Sequence, residues 1–241
     1  MKQKLSVVGI AIAKRVFHLV GMDERGQIIL RKRLVRGEVL PLMANLHTVT
    51  DGMEACGGAH DWAGRLREQG HHLKLIPPQY VKPYVKTNKN DRRDAEAIAE
   101  AVTRPSMRFV PIKTVAQQDI QALHRVRERL VGARTALINE MRGLLAEYAI
   151  VLPKGAKAFR QTVVSQLEAE QDKLSALGQE MFHRLFKELV EVEAEVAYYD
   201  EKLLSLAEAH PECQRLLTIP GMGPITATAL IAAVGDVTSE D

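Results

Sequence analysis

Three carboxylates in this 241-residue chain have the types and spacing for phosphodiester chemistry. Glu54 stands in "DGMEACGGAHDWA" (51–63), at the C-terminal end of a predicted strand and just before a glycine-rich loop and a helix. Strand ends of that kind are where α/β sheets place their reactive groups. Asp91 and Asp94 form "NDRRD" (90–94), a three-residue spacing that puts both side chains on one face of a helix's first turn. Together these acids suit a hard divalent cation, Mg²⁺ or Mn²⁺, which takes carboxylate oxygens octahedrally and keeps polarisable waters. Two such ions about 4 Å apart activate an attacking oxygen and stabilise a leaving one. Taken singly, each acid has a plainer role, because acids at helix starts favour the macrodipole and Asn90 or Asp91 serves as a cap. A further carboxylate from the first strand would complete the cage, but "VVGIAIAK" (7–14) holds Ala11 at that place.

The elements that must position these residues follow from periodicity and turn chemistry. Strands are predicted at 4–13, 15–22 and 27–34, with "DERG" (23–26) as a tight turn, so the three are antiparallel neighbours. A helix at 38–46, a strand at 48–54, a helix at 58–69 and a strand at 72–76 follow, and helical crossovers make the later strands parallel. This order is a ribonuclease-H-like mixed α/β sheet. A helix from Asp91 to about Thr103 ends at "RPS" (104–106), because the residue before a proline is biased away from helical angles. An extended stretch, 107–112, closes this part.

Beyond it the pattern is helical. Ile120, Leu123, Val126, Leu130, Leu137, Met141, Leu144 and Leu145 recur at three-four spacing through 115–147, and Leu174 to Leu206 do so through 174–208. With Pro153 and Gly155 between them, the two segments read as an antiparallel hairpin or coiled coil, although core helices of a bundle account for the same leucines. In "LLTIPGMGPITATALIAAVGDVTSED" (216–241), "PGMG" precedes Pro224 at a helix start, a helix-hairpin-helix pattern. There Gly221 and Gly223 would bare backbone N–H groups to a phosphate, and tight packing alone explains the same glycines.

Composition narrows the class. With 46% apolar residues the chain can build one large core or two modest ones. Its longest apolar stretches, such as "ATALIAAVG" (227–235), fall short of the roughly 18 residues of a membrane span, and no signal-peptide pattern opens the chain, so a cytoplasmic protein is expected. Cys56 and Cys213 lie far apart and outside any CxxC, which suggests neither a disulfide framework nor zinc. Lys74, Lys82, Lys86, Lys89, Arg92 and Arg93 face a single acid, Asp91, within 74–93. That cluster is either a solvated face or an edge that tracks nucleic-acid phosphates. No glycine-rich phosphate loop follows the first hairpin, which argues against a sugar-kinase or actin-like ATPase.

Five blocks carry a resemblance: "VVGIAIAKRVFHLVGMDERG", "GMEACGGAHDWA", "PPQYVKPYVKTNKNDRRDAEAIAEAV" (77–102), "LHRVRERLVGARTALINEMRGLLAEYAIVLP" (123–153) and "LLTIPGMGPITATALIAAVGD" (216–236). In these blocks the chain resembles the DEDD transposases of bacterial insertion sequences, relatives of the Piv invertase and of bridge-RNA-guided recombinases. The resemblance implies a RuvC-like domain at 1–112, a helical coiled-coil region at 113–209, and the start of a C-terminal transposase domain at 210–241, bearing the helix-hairpin-helix-like motif. The family's second, third and fourth acids fall on Glu54, Asp91 and Asp94, and its first falls on Ala11, where members read "GID" against "GIA" here. The family's serine nucleophile has a Ser-Gly-Gly-like context that the 241 residues lack, and Ser239 is in the wrong setting. The resemblance therefore implies a truncated and inactive form of an enzyme that cleaves and rejoins DNA. It also implies Mg²⁺ or Mn²⁺ at the acids, donor and target DNA, a guide RNA, and a homodimer or homotetramer. Nucleic-acid backbone binding is expected at Lys82, Lys86, Lys89, Arg92 and Arg93 from their charge, and at Gly221 and Gly223 from the helix-hairpin-helix pattern. A non-catalytic nucleic-acid-binding scaffold and a Holliday-junction nuclease of the ribonuclease-H superfamily stand as alternatives.

Overall fold

The computed structural model describes residues 4–47, 49–85 and 91–234, with the side chain of Asp91 outside that description. The chain divides into two compact units, Met1–Ala116 and Gln117–Asp241.

The first unit is built on β1 (Val7–Ile12), β2 (Val16–Met22), β3 (Ile28–Val35), β4 (Thr50–Glu54) and β5 (His72–Ile76), in the spatial order β3-β2-β1-β4-β5. β2 is antiparallel to both β1 and β3, and β4 is parallel to both β1 and β5, as the turn and crossover pattern requires. The "DERG" turn closes on Asp23, whose Oδ1 accepts the N–H groups of Arg25 (3.0 Å) and Gln27 (2.8 Å), while Gly26 takes φ +74°. Period-two alternation sends the strand side chains to two covered faces. Val8, Ile10, Phe17, Leu19, Met53 and Leu75 pack under α1 (Val39–Ala44) and α2 (Ala59–Glu68). Val7, Ala11, Val20, Met22 and Ile76 face α4 (Asp91–Ala101), which follows the one-turn α3 (Pro78–Val81).

Two glycines set the distance between α4 and the sheet. A Cβ at Gly9 would lie 2.1 Å from the Ala95 carbonyl oxygen and 2.4 Å from the Ala99 nitrogen, and one at Gly52 would lie 2.9 Å from Cβ of Val102. With Ala95 and Ala99 on the other side, β1 and α4 meet backbone to backbone. On the opposite face a polar pair is sealed in. Asp51 of β4 and His71 are both buried, with Asp51 Oδ2 at 2.8 Å from His71 Nδ1, and His71 Nε2 lies 3.1 Å from the Met43 carbonyl. Since Nε2 donates to that carbonyl, one shared proton lies between Nδ1 and the carboxyl. Burial pushes the Asp51 carboxyl up to about 6, although His71 draws it down.

The second unit consists of α5 (Val115–Ala146), α6 (Ala156–Ala169), α7 (Ala176–Ala209), α8 (Pro211–Leu217) and α9 (Pro224–Val234). α5 and α7 run antiparallel: Leu137, Met141 and Leu145 share a cluster with Phe182 and Leu189, Arg127 pairs with Asp200, and Ile120 meets Leu203 and Ala232. The seam is not a bare pair of helices. Phe159 and Val163 of α6, a helix that periodicity in the rest of the chain does not announce, fill one end, and α8 and α9 cover the other. His124 Nε2 is 3.0 Å from the Thr228 hydroxyl, which donates to the Pro224 carbonyl at 2.8 Å, tying α9 to α5. Ser175 caps α7 by accepting the Gly178 N–H at 3.2 Å.

Gly9→Ala should destabilise the first unit by about 1–3 kcal/mol, at the upper end of that range because the obstructing atoms are backbone. Gly37→Ala, where a Cβ meets nothing within 4 Å, should be nearly neutral. Urea unfolding midpoints of the two variants against the parent check this. Equal midpoints would mean that the β1–α4 contact is loose.

Candidate metal and nucleic-acid site

The register fixes the site's foundation. The last paired residues of β1 and β4 are Ile10 and Met53, so Ala11 and Glu54 are the next positions on neighbouring parallel strands. Alternation puts both on the face that α4 covers, since Gly52, two residues before Glu54, looks at Ile98 and Val102. Asp94 lies in the first turn of α4, directly before the Ala95 that abuts Gly9. The fold thus brings position 11, Glu54 and the start of α4 to one face of the sheet. Glu54 and Asp94 are each engaged in polar interactions of their own. Asp91 opens the same helix.

At position 11 there is a methyl group, 6% exposed, in the cluster formed with Val7, Val20 and Ile98. Among the described residues no group of three or more His, Cys, Asp or Glu is assembled that could hold a metal ion. What remains is a pair of hard oxygen donors, Glu54 and Asp94, with the Asp91 carboxyl outside the described atoms.

The chain beyond Glu54 turns at once. Cys56 N–H donates to the Glu54 carbonyl at 2.8 Å, and Gly58, at φ +86°, leads into α2. Cys56 is a neighbour that sequence spacing left unremarked. Burial, and after it the Glu54 charge, push its thiol pKa up. Across α2, His60 Nδ1 accepts the Lys113 N–H at 3.1 Å, and burial followed by the Lys113 charge lowers its pKa. A cavity of about 400 Å³ lined by Gly64, Arg67, Glu68 and Lys113 lies beside α2, on the opposite side of the sheet from Glu54. It has no part in the carboxylate site.

Of the basic cluster, Lys82 is exposed in a single 3₁₀ turn (Lys82–Tyr84), Arg92 is exposed on α4 and Arg93 is half-buried. Lys74 sits with Nζ 4.8 Å from the Phe109 ring centre. Lys86 and Lys89 lie outside the described residues. In the second unit, Gly221 takes φ +85° in the turn between α8 and α9, and Gly223 immediately precedes α9. The order at that point is helix α8, turn, helix α9.

Comparison with known proteins adds the following. A family model described as a transposase, of the DEDD type of IS110, matches residues 8–150, and one described as the IS116/IS110/IS902 transposase family matches residues 213–240. The chain is 46% identical over 233 residues to the transposase for insertion sequence element IS1111A of Coxiella burnetii, covering 97% of this chain and 64% of that protein. It is 44% identical to a probable family 20 transposase of Pseudomonas aeruginosa, covering 96% of this chain and 69% of that one. With the transposase for IS1328 of Yersinia enterocolitica it shares 38% identity, again over 96% and 69%. The chain spans about two thirds of the length of these relatives, 64% of the first.

Glu54→Gln should speed alkylation of Cys56 by iodoacetamide several-fold at a fixed mildly alkaline pH, because removing the carboxylate charge lowers the thiol pKa. Timed labelling followed by peptide mass spectrometry reads this separately from Cys213, which is 1% exposed. An unchanged Cys56 rate would place the Glu54 carboxylate away from the strand-end turn.

Proposed function

Because the chain belongs to the DEDD transposases of the IS110 family, we propose that the protein it forms part of cleaves and rejoins DNA strands to move an insertion sequence. The observation that carries this reading is the convergence of position 11, Glu54 and the first turn of α4 on one face of a ribonuclease-H-like sheet.

In this reading Glu54, Asp91 and Asp94 hold Mg²⁺ or Mn²⁺, and the hard carboxylate oxygens present fit such an ion. The bound cation supplies Lewis-acid polarisation of a phosphate oxygen. Glu54 is placed by a strand and Asp94 by a helix whose distance from that strand is fixed at Gly9 and Gly52, so the donors are presented from rigid elements. The attacking group is a serine in a Ser-Gly-Gly-like context, which residues 1–241 do not contain. The partners are donor and target DNA and a structured bridge RNA, held through Lys82, Lys86, Lys89, Arg92 and Arg93 and through the Gly221–Gly223 turn. Copies associate as a dimer or tetramer through the helical region. Among the described residues no helix is long and apolar enough to cross a membrane.

One observation favours a second reading. The buried Ala11 methyl gives the site no first oxygen, which suits a nucleic-acid-binding scaffold without chemistry of its own.

Ala11→Asp should tighten Mg²⁺ or Mn²⁺ binding by about tenfold or more, and Asp94→Ala in that background should abolish the gain. Isothermal calorimetry of the parent and both variants measures this. Equal affinities in all three would remove the metal assignment and leave the scaffold reading.

A further inference from the structure

The strand register aligns more than the acids. Ala11 pairs with His18 of β2, and His18 pairs with Arg33 of β3. Reading across the sheet at this level gives Arg33, His18, Ala11 and Glu54, each about 4.8 Å from the next in the pairing direction. All four are on the α4 face, because their pairing partners share one side of the pleat. At the same end of β1, the turn to β2 carries Lys14 and Arg15, both exposed.

Several cations elsewhere on the molecule are engaged. Arg31 reaches Glu96 at 3.6 Å, Arg36 stacks on Trp62, Arg104 pairs with Glu100 and Arg127 with Asp200. Among the described residues, Lys14, Arg15 and Arg33 enter no ion pair and stack on no ring, and the His18 imidazole makes no side-chain hydrogen bond. The register sets them at the level of Ala11 and Glu54, beside the end of the sheet that carries the Glu54 carboxylate. Unpaired cations aligned beside carboxylates hold a polyanion at the carboxylates without quenching them. Charge on an edge strand such as β3 also discourages strand addition. That role needs no particular face, and Lys32, which points to the opposite face of β3, separates the two explanations.

We propose that Lys14, Arg15, His18 and Arg33 form a phosphate-binding row that carries a nucleic-acid backbone across β3 and β2 to the carboxylate site. The row is separate in sequence from the 74–93 cluster and is carried by β2, β3 and the turn before β2. It rests on the reading of the chain as a nucleic-acid strand-transfer protein.

The test is fluorescence anisotropy of the 241-residue protein with labelled single-stranded DNA, duplex DNA and a stem-loop RNA over a KCl series. The slope of log Kd against log[KCl] is the readout. Arg33→Gln should reduce the slope by about 0.9 on duplex or about 0.7 on a single strand, and Lys14→Gln with Arg15→Gln by about twice that. Lys32→Gln should leave it unchanged. The probe with the largest change identifies whether DNA or RNA lies on the row. The proposal is overturned if the Arg33 and Lys14/Arg15 variants keep the parent slope, or if Lys32→Gln lowers it equally. If only Lys82→Gln with Arg92→Gln lowers the slope, the row fails while the nucleic-acid reading stands. If the parent binds none of the probes at low salt, both fail.

Discussion

The backbone contact between β1 and α4 is the constraint on which the first unit depends. A helix packed on a sheet ordinarily stands about 10 Å away, held off by side chains on both surfaces. Here Gly9 and Gly52 remove the side chains on the sheet, and Ala95 and Ala99 reduce those on the helix. The helix sinks onto the strands, and the residues flanking the contact gain positions they would not otherwise reach. Ala11 follows Gly9 by two residues, Glu54 follows Gly52 by two, and Asp94 precedes Ala95 by one. Three of the four candidate acid positions are therefore tied to a residue that makes the close approach, so packing and chemistry are specified by the same short stretches.

That coupling explains why the placement of these positions is legible in the sequence. Glu54 could be placed at a strand end from the turn signals "ACGG" after it, and the Asp91–Asp94 spacing reads directly as one helix face. Ala11 stands in a strand that is apolar on both sides of it, so the sequence places it inside β1. Strand directions follow from two tight turns and two helical crossovers. The parts not legible are those decided by pairing at long range. Nothing in "VFHLVGM" or "IILRKRLV" says that His18 lies beside Ala11 or that Arg33 lies beside His18, because a one-residue slip of either strand would put them on the opposite face.

The helical unit shows a different limit. Long three-four patterns announced α5 and α7, and their antiparallel course followed from the break at Pro153 and Gly155. α6 carries the same kind of pattern in only Phe159, Val163 and Leu167, one residue per turn over a stretch of 14. So thin a stripe does not distinguish a helix from a loop until the hairpin offers it something to cover. α9 poses the opposite problem. Its sequence is apolar nearly all round, and periodicity is silent about which side is inward. The buried Ala227, Thr228 and Ala232 show that the small residues face the bundle, whereas Leu230 and Val234 look outward, 42% and 49% exposed.

The polar chain from Asp51 through His71 to the Met43 carbonyl joins β4, the entry to β5 and the end of α1 inside an otherwise apolar layer. α1 is six residues long and its first turn has no side-chain cap, so as an isolated helix it would fray freely. Lifting it would strip His71 of its carbonyl acceptor and expose the proton shared with Asp51 to a changed environment, at a cost no surface helix incurs. Opening of α1 is thereby linked to opening of the parallel strands beneath it. The amide hydrogens of α1 should then exchange with solvent together with those of β4.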